Sequence, residues 1–145
     1  MKEYKFKYQK ELDNLLTEGC QLPPLFAPNG MKAFRFAFSS PEQQNHIPQY
    51  MRNPKRMLLD LSKGKADTSL LSLSCFDTEA KAESFYSNLR KAFKNATITI
   101  GDSLAEGPLA NDDGLKTETG NNGHFDFYEF EHCDLNRSFK ITKQL

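Results

Sequence analysis

The stretch SLLSLSCFDTEAKAESFYSNLRKAFKN, residues 69–95, decides the fold. Leu71, Leu73 and Cys75 alternate with Ser72 and Ser74, the period of two that a strand requires. Leu70 and Phe76 add apolar residues to the serine side, so both faces of this strand are expected to be covered. A helix follows over residues 78–94. Asp77 or Thr78 can cap its first N–H groups, and Glu79 suits the positive end of its dipole. Ala82, Phe85, Tyr86, Leu89 and Phe93 then form one apolar stripe. Arg90, Lys91 and Lys94 suit the carbonyl end, and Asn95 is a natural stop. The expected arrangement has Leu71, Leu73 and Cys75 in a sheet roofed by Phe85, Leu89 and Phe93. Loss of Phe85 or Leu89 is then expected to cost on the order of 2–5 kcal/mol as a cavity.

Working outward, the N-terminal side offers a helix over residues 3–18, with Tyr4, Tyr8, Leu12, Leu15 and Leu16 on one face and Gly19 just past its end. A short strand competes for its start, because Tyr4, Phe6 and Tyr8 alternate with Lys5 and Lys7. Residues 19–32 carry three prolines and the turn sequence Pro28-Asn29-Gly30. AFRFAF, residues 33–38, reads as a strand with Phe34, Phe36 and Phe38 on one side and Arg35 between Ala33 and Ala37 on the other. Arg35 then either faces solvent, pairs with a carboxylate on a neighbouring strand, or holds a ligand. Residues 39–68 are irregular apart from a short helix from about Pro54 to Ser62, with Met57, Leu58 and Leu61 inward. Arg52, Lys55, Arg56, Lys63 and Lys65 make this the most basic region, able to face an anionic partner or simply water.

On the C-terminal side, ATITI (96–100) alternates as a short strand. Residues 101–124 hold five of the eight glycines and show no clear period, so a long loop, either functional or mobile, is expected. Asn111-Asp112-Asp113-Gly114 lacks both anchoring carboxylates of a calcium loop. HFDFYEFE, from His124, reads as a strand with a phase slip between Phe127 and Tyr128, which a bulge would explain. Residues 132–136 form a turn before a last strand, Arg137–Thr142, with Phe139 and Ile141 inward.

These elements define a single α+β domain over residues 1–145, with a mainly antiparallel sheet of four to six strands and one or two helices on a face. Twelve Phe and five Tyr without Trp supply the bulky core. No apolar run reaches the ~18 residues of a membrane span. Charges interrupt the N-terminus where a signal peptide needs its apolar segment. Three widely spaced cysteines, Cys20, Cys75 and Cys133, fit free thiols in a reducing cytoplasm. The net charge of zero divides into 15 basic and 10 acidic residues over 1–100 and 4 and 9 over 101–145. The overall balance gives no support for general nucleic-acid binding. No metal-ligand spacing, P-loop or dinucleotide fingerprint is present.

One order of residues carries chemistry: Arg35 on a first strand, Ser72-Leu73-Ser74 on a second, and Glu129-Phe130-Glu131 on a late one. This order resembles the Arg…S-x-S…E-x-E layout of ADP-ribosyltransferases. The resemblance implies NAD as cofactor, its phosphates on Arg35 and its nicotinamide pocket supported by Ser72 or Ser74. Glu131 would stabilise the oxocarbenium-like ribose and Glu129 would orient the acceptor. The sequence departs from the family's layout after Glu131, where His132-Cys133 stands in place of an apolar continuation of the strand. LSLSCFDTEAKA (71–82), ITIGDSL and GHFDFYEF also resemble a group of small bacterial proteins, a likeness that implies no activity. Three function classes are therefore expected, the third being nucleic-acid binding or an enzyme of another kind. The first is a cytoplasmic accessory module, without cofactor, that binds a protein partner through its loops and through Arg52, Lys55, Arg56 and Glu129. The second is an NAD-using transferase acting through Arg35, Ser74 and Glu131.

Overall fold

The computed structural model describes residues 4–40 and 44–145. Its centre is one six-stranded, fully antiparallel sheet, so the chain is an α+β protein as the sequence predicts. The strands are β1 (Met31–Ala37), β2 (Leu73–Phe76), β3 (Ser103–Leu109), β4 (Gly114–Lys116), β5 (His124–Glu129) and β6 (Lys140–Gln144). Their order across the sheet is β4-β5-β2-β1-β3-β6.

The sheet is two well-paired halves joined by a thin seam. β1 and β3 register over seven residues, and β2 and β5 over four. Between β1 and β2, however, Phe34 and Phe76 are the one registered pair. Past that pair β1 runs on towards Ala37, while β2 leads back into a 3-10 turn, Thr68–Leu71, whose start is capped by the Asp67 carboxylate. The expected strand thus begins at Leu73. Leu71 belongs to the turn and packs in a separate cluster with Leu12, Leu15, Tyr50 and Met57.

Both faces of the sheet are covered. One carries Ala33, Ala37, Leu73, Cys75, Ala105, Phe125 and Phe127 against Cys133, Leu135 and Phe139. The other carries Phe34, Phe76 and Leu104 against Ala82, with Phe36 and Phe85 half-buried beside them. The long helix Glu79–Ala92 therefore roofs the serine-and-Phe76 side of β2, opposite to Leu73 and Cys75. Thr78 caps it through the Lys81 N–H (3.2 Å). Ala82 and Tyr86 are its buried residues, whereas Phe93 is 60% exposed because the helix ends at Ala92 and the backbone turns extended there.

At the N-terminus the helix forms later than expected, and the competing strand is reduced to an isolated bridge. Residues 5–7 extend along the end of β5, with Phe6 bridged to Phe130, and the helix runs from Gln9 to Thr17. Tyr4 stacks on Phe130 instead of joining the helical stripe. Gly19 takes the left-handed conformation (φ +97°) that a helix stop of this kind needs. The helix Pro54–Ser62 is present and buries Met57, but Leu58 is 62% exposed.

The C-terminal half departs further from expectation. Residues 96–99 form a helical turn in place of a strand, closed by Ile98 and Thr99 N–H groups donating to Asn95 O. Residues 101–124, expected as one loop, contain β3 and β4. Gly107 is the reason the helical turn Leu135–Ser138 can lie directly on β3, since a Cβ there would fall 2.6 Å from Ser138 O. β5 keeps its register against both neighbours without a bulge. Its consecutive buried residues Phe127–Phe130 reflect cover on both faces, with Phe6 set edge-on to Tyr128. The register shift lies between β3 and β6, at Leu104/Ala105. The last strand starts at Lys140, and Ile141 is 46% exposed on this edge. No helix among the described residues is long and apolar enough to cross a membrane.

Candidate functional site

A cleft of about 470 Å³ opens where β1 and β2 part. Its floor is Phe36 and Phe76, Phe85 and Leu89 come from the roofing helix, and residues 45–49 and Arg52 close one end. Arg35 is the side chain that spans the seam. It is 9% exposed, its Nη1 donates to the Ser74 carbonyl of β2, and its Nε donates to His46 Nδ1 (2.9 Å). The side chain thus supplies a cross-strand hydrogen bond where the backbone ladder has stopped.

His46 is built for this contact. It is one of two non-glycine residues with positive φ (+61°) among those described, and its ring sits edge-on to Phe139. Burial, then the Arg35 and Arg52 charges, push its pKa down to about 3, so the ring is neutral and accepts from Arg35. Arg52 lies over the Phe38 ring and is tied to the Ile47 and Gln44 carbonyls. Burial and the nearby Arg35 lower its pKa. No carboxylate among the described residues reaches ion-pair distance of either Arg35 or Arg52.

The opposite wall is acidic and hydroxylic. His124 Nε2 lies 3.0 Å from Ser74 Oγ and 3.6 Å from Asp126 Oδ1. Ser, His and Asp in one cluster suggest nucleophilic catalysis, but a general base must take the serine proton on one ring nitrogen and be oriented through the other. Here the same nitrogen faces both partners. Burial raises the Asp126 pKa, with His124 opposing it. Burial likewise pushes the Cys75 thiol up to about 11 against the lowering effect of Arg35, so this thiol is not an activated nucleophile.

Of the residues singled out in the sequence, Arg35, Ser72, Ser74 and Arg52 line this cleft. Glu131 does not. It lies past the end of β5, exposed beside His132 (3.6 Å), and its N–H donates to Lys5 O. Glu129 is buried and holds Lys7 through a 2.8 Å ion pair. Burial pushes its carboxyl pKa up, and Lys7 pulls against that shift. Lys55 is exposed on the helix Pro54–Ser62, and Arg56 is spent on Gln49 (2.7 Å) and Asp60 (3.6 Å). The sequence reading missed His46, His124 and Asp126 as members of the site. The alternation of His124 and Asp126 with Phe125 and Phe127 was the available signal, because it places both polar residues on one face of β5. No protein-family model matches the sequence, and comparison with curated proteins and with solved structures finds no similar one.

Proposed function

We propose that this protein is a binding module that receives a segment of a partner protein in the cleft between β1 and β2. The observation that carries this reading is the composition of the cleft: an apolar floor, two guanidinium groups at one end and a hydroxyl-carboxyl wall at the other. Concave sites of this size and make-up are typical of ligand recognition. A transferase reading needs Glu131 beside Arg35 and Ser74. The carboxyl that faces the cleft is Asp126 instead, which favours recognition over NAD chemistry.

The test is affinity capture with the tagged protein and with Ser74→Trp. Ser74 is exposed, so the indole should fill the cleft without disturbing the core. A protein captured by the native form and lost by the folded variant supports the reading. Capture of the same set by both proteins overturns it.

A further inference from the structure

We propose that the group this cleft recognises is a carboxylate, the C-terminal or acidic side-chain carboxylate of the partner segment, held by Arg35 with the attached apolar body on Phe36, Phe76 and Phe85. The inference rests on the binding reading above and names its ligand group.

Arg35 carries five N–H donors, of which Nε and one on Nη1 are taken by His46 and Ser74. The Cys75 thiol lies against the guanidinium but is a weak acceptor. Both strong acceptors are uncharged, since His46 is neutral across the physiological range. Among the described residues this nearly buried cation has unused donors and no carboxylate at ion-pair distance. Among the described residues that line the cleft, the fixed charges are two guanidinium groups against Asp126, one positive charge over, and the buried Glu129 on which Arg35 also acts is already held by Lys7. A monoanion balances that surplus, whereas a phosphate dianion exceeds it. The planar fork of Arg also matches a carboxylate in geometry. The aromatic floor next to it gives an apolar group a place to lie once the carboxylate is seated.

The experiment is a ¹⁵N NMR titration of the full-length protein, following the Arg35 Nε–H and the Ser74 and Cys75 amides. The probes are N-acetyl-phenylalanine, its amide, N-acetyl-Glu-Phe amide and inorganic phosphate. Saturable shifts with the first acid and none with its amide are expected. Binding of the Glu peptide as well would place a side-chain carboxylate in the same seat, and its silence would restrict the seat to the carboxyl termini of partner segments. Arg35→Lys is expected to weaken binding about tenfold, because an ammonium loses the fork. Should that variant not fold, Arg52→Gln, on the more open side, is expected to weaken it about threefold through the lost charge. Tighter saturation by phosphate would overturn the carboxylate assignment while leaving the binding reading intact. Silence from every probe would overturn the proposal, and the Ser74→Trp capture would still decide the binding reading separately.

Discussion

His46→Asn should change how stability depends on pH without changing the seam. Asn tolerates the left-handed backbone at this position, and its side-chain oxygen can accept from Arg35 Nε as the ring nitrogen does. What the variant lacks is a proton to gain. In the native protein the folded His46 has a pKa near 3 against an ordinary 6.5. A depressed folded value means that the unfolded chain binds the proton first. The native protein therefore holds its full stability above about pH 6.5 and loses it as the pH falls towards 3. At pH 5 the loss attributable to His46 is about 2 kcal/mol relative to pH 7.5, rising towards about 4 kcal/mol at pH 3. Asp126 and Glu129, whose pKa values are raised, contribute with the opposite slope but do so in both proteins. Urea unfolding of the two proteins at pH 7.5 and pH 5 isolates the difference. The native protein should lose about 2 kcal/mol more than His46→Asn over that interval. Equal losses would mean that His46 titrates normally, and the neutral acceptor assigned to Arg35 would be wrong.

Two further outcomes follow from the packing and the seam. Phe93→Ser should leave the unfolding free energy within about 0.5 kcal/mol, whereas Phe76→Ala should cost about 3–5 kcal/mol through a cavity under the roofing helix; urea midpoints of the two variants check this, and a large loss at Phe93 would refute the helix end. Arg35→Met removes a buried charge but leaves the Ser74 carbonyl and His46 Nδ1 without their donor, so it should cost about 1–3 kcal/mol. Calorimetry checks this, and an unchanged or raised unfolding free energy would show that the guanidinium plays no part in holding the seam.

Much of the fold was legible because two periods are hard to counterfeit. The strand at Leu73–Phe76, the helix after Thr78 and the helix from Pro54 all fall where spacing and caps place them. β3 was illegible because Gly107 and Pro108 sit inside it. Both are tolerated for local reasons. Gly107 makes room for the turn at Leu135–Ser138, and Pro108 lies beyond the residues that β6 pairs, where one side of the strand is free and a missing N–H costs no ladder bond. Conversely, ATITI has strand-forming residues but closes a helical turn, with Ala96 buried and the Tyr86 hydroxyl donating to Gly101 O (2.6 Å). Tertiary contacts over five residues outweigh a propensity of a few tenths of a kcal/mol each. The cleft was only half legible. Arg35 between two alanines marked a place with room, but its partner His46 comes from an irregular segment, and no local pattern reports that β1 and β2 touch through a single pair.

That single pair explains why the cleft lies where it does. β2 is four residues long and starts from a capped turn, while β1 is seven residues long and fully matched by β3. The unmatched length of β1 must face something. A purely structural solution would extend β2 or fill the gap with apolar side chains, as happens one layer away around Phe34 and Phe76. Instead the gap holds Arg35 and a neutral histidine in a left-handed conformation, each costly to place near the interior of a small domain, with an exposed second arginine at its edge. Local conflicts of this kind persist in natural proteins where a site requires them. A packing role explains the alanines on either side of Arg35. It does not explain two cations whose described hydrogen-bond partners are all uncharged, and the proposed carboxylate would.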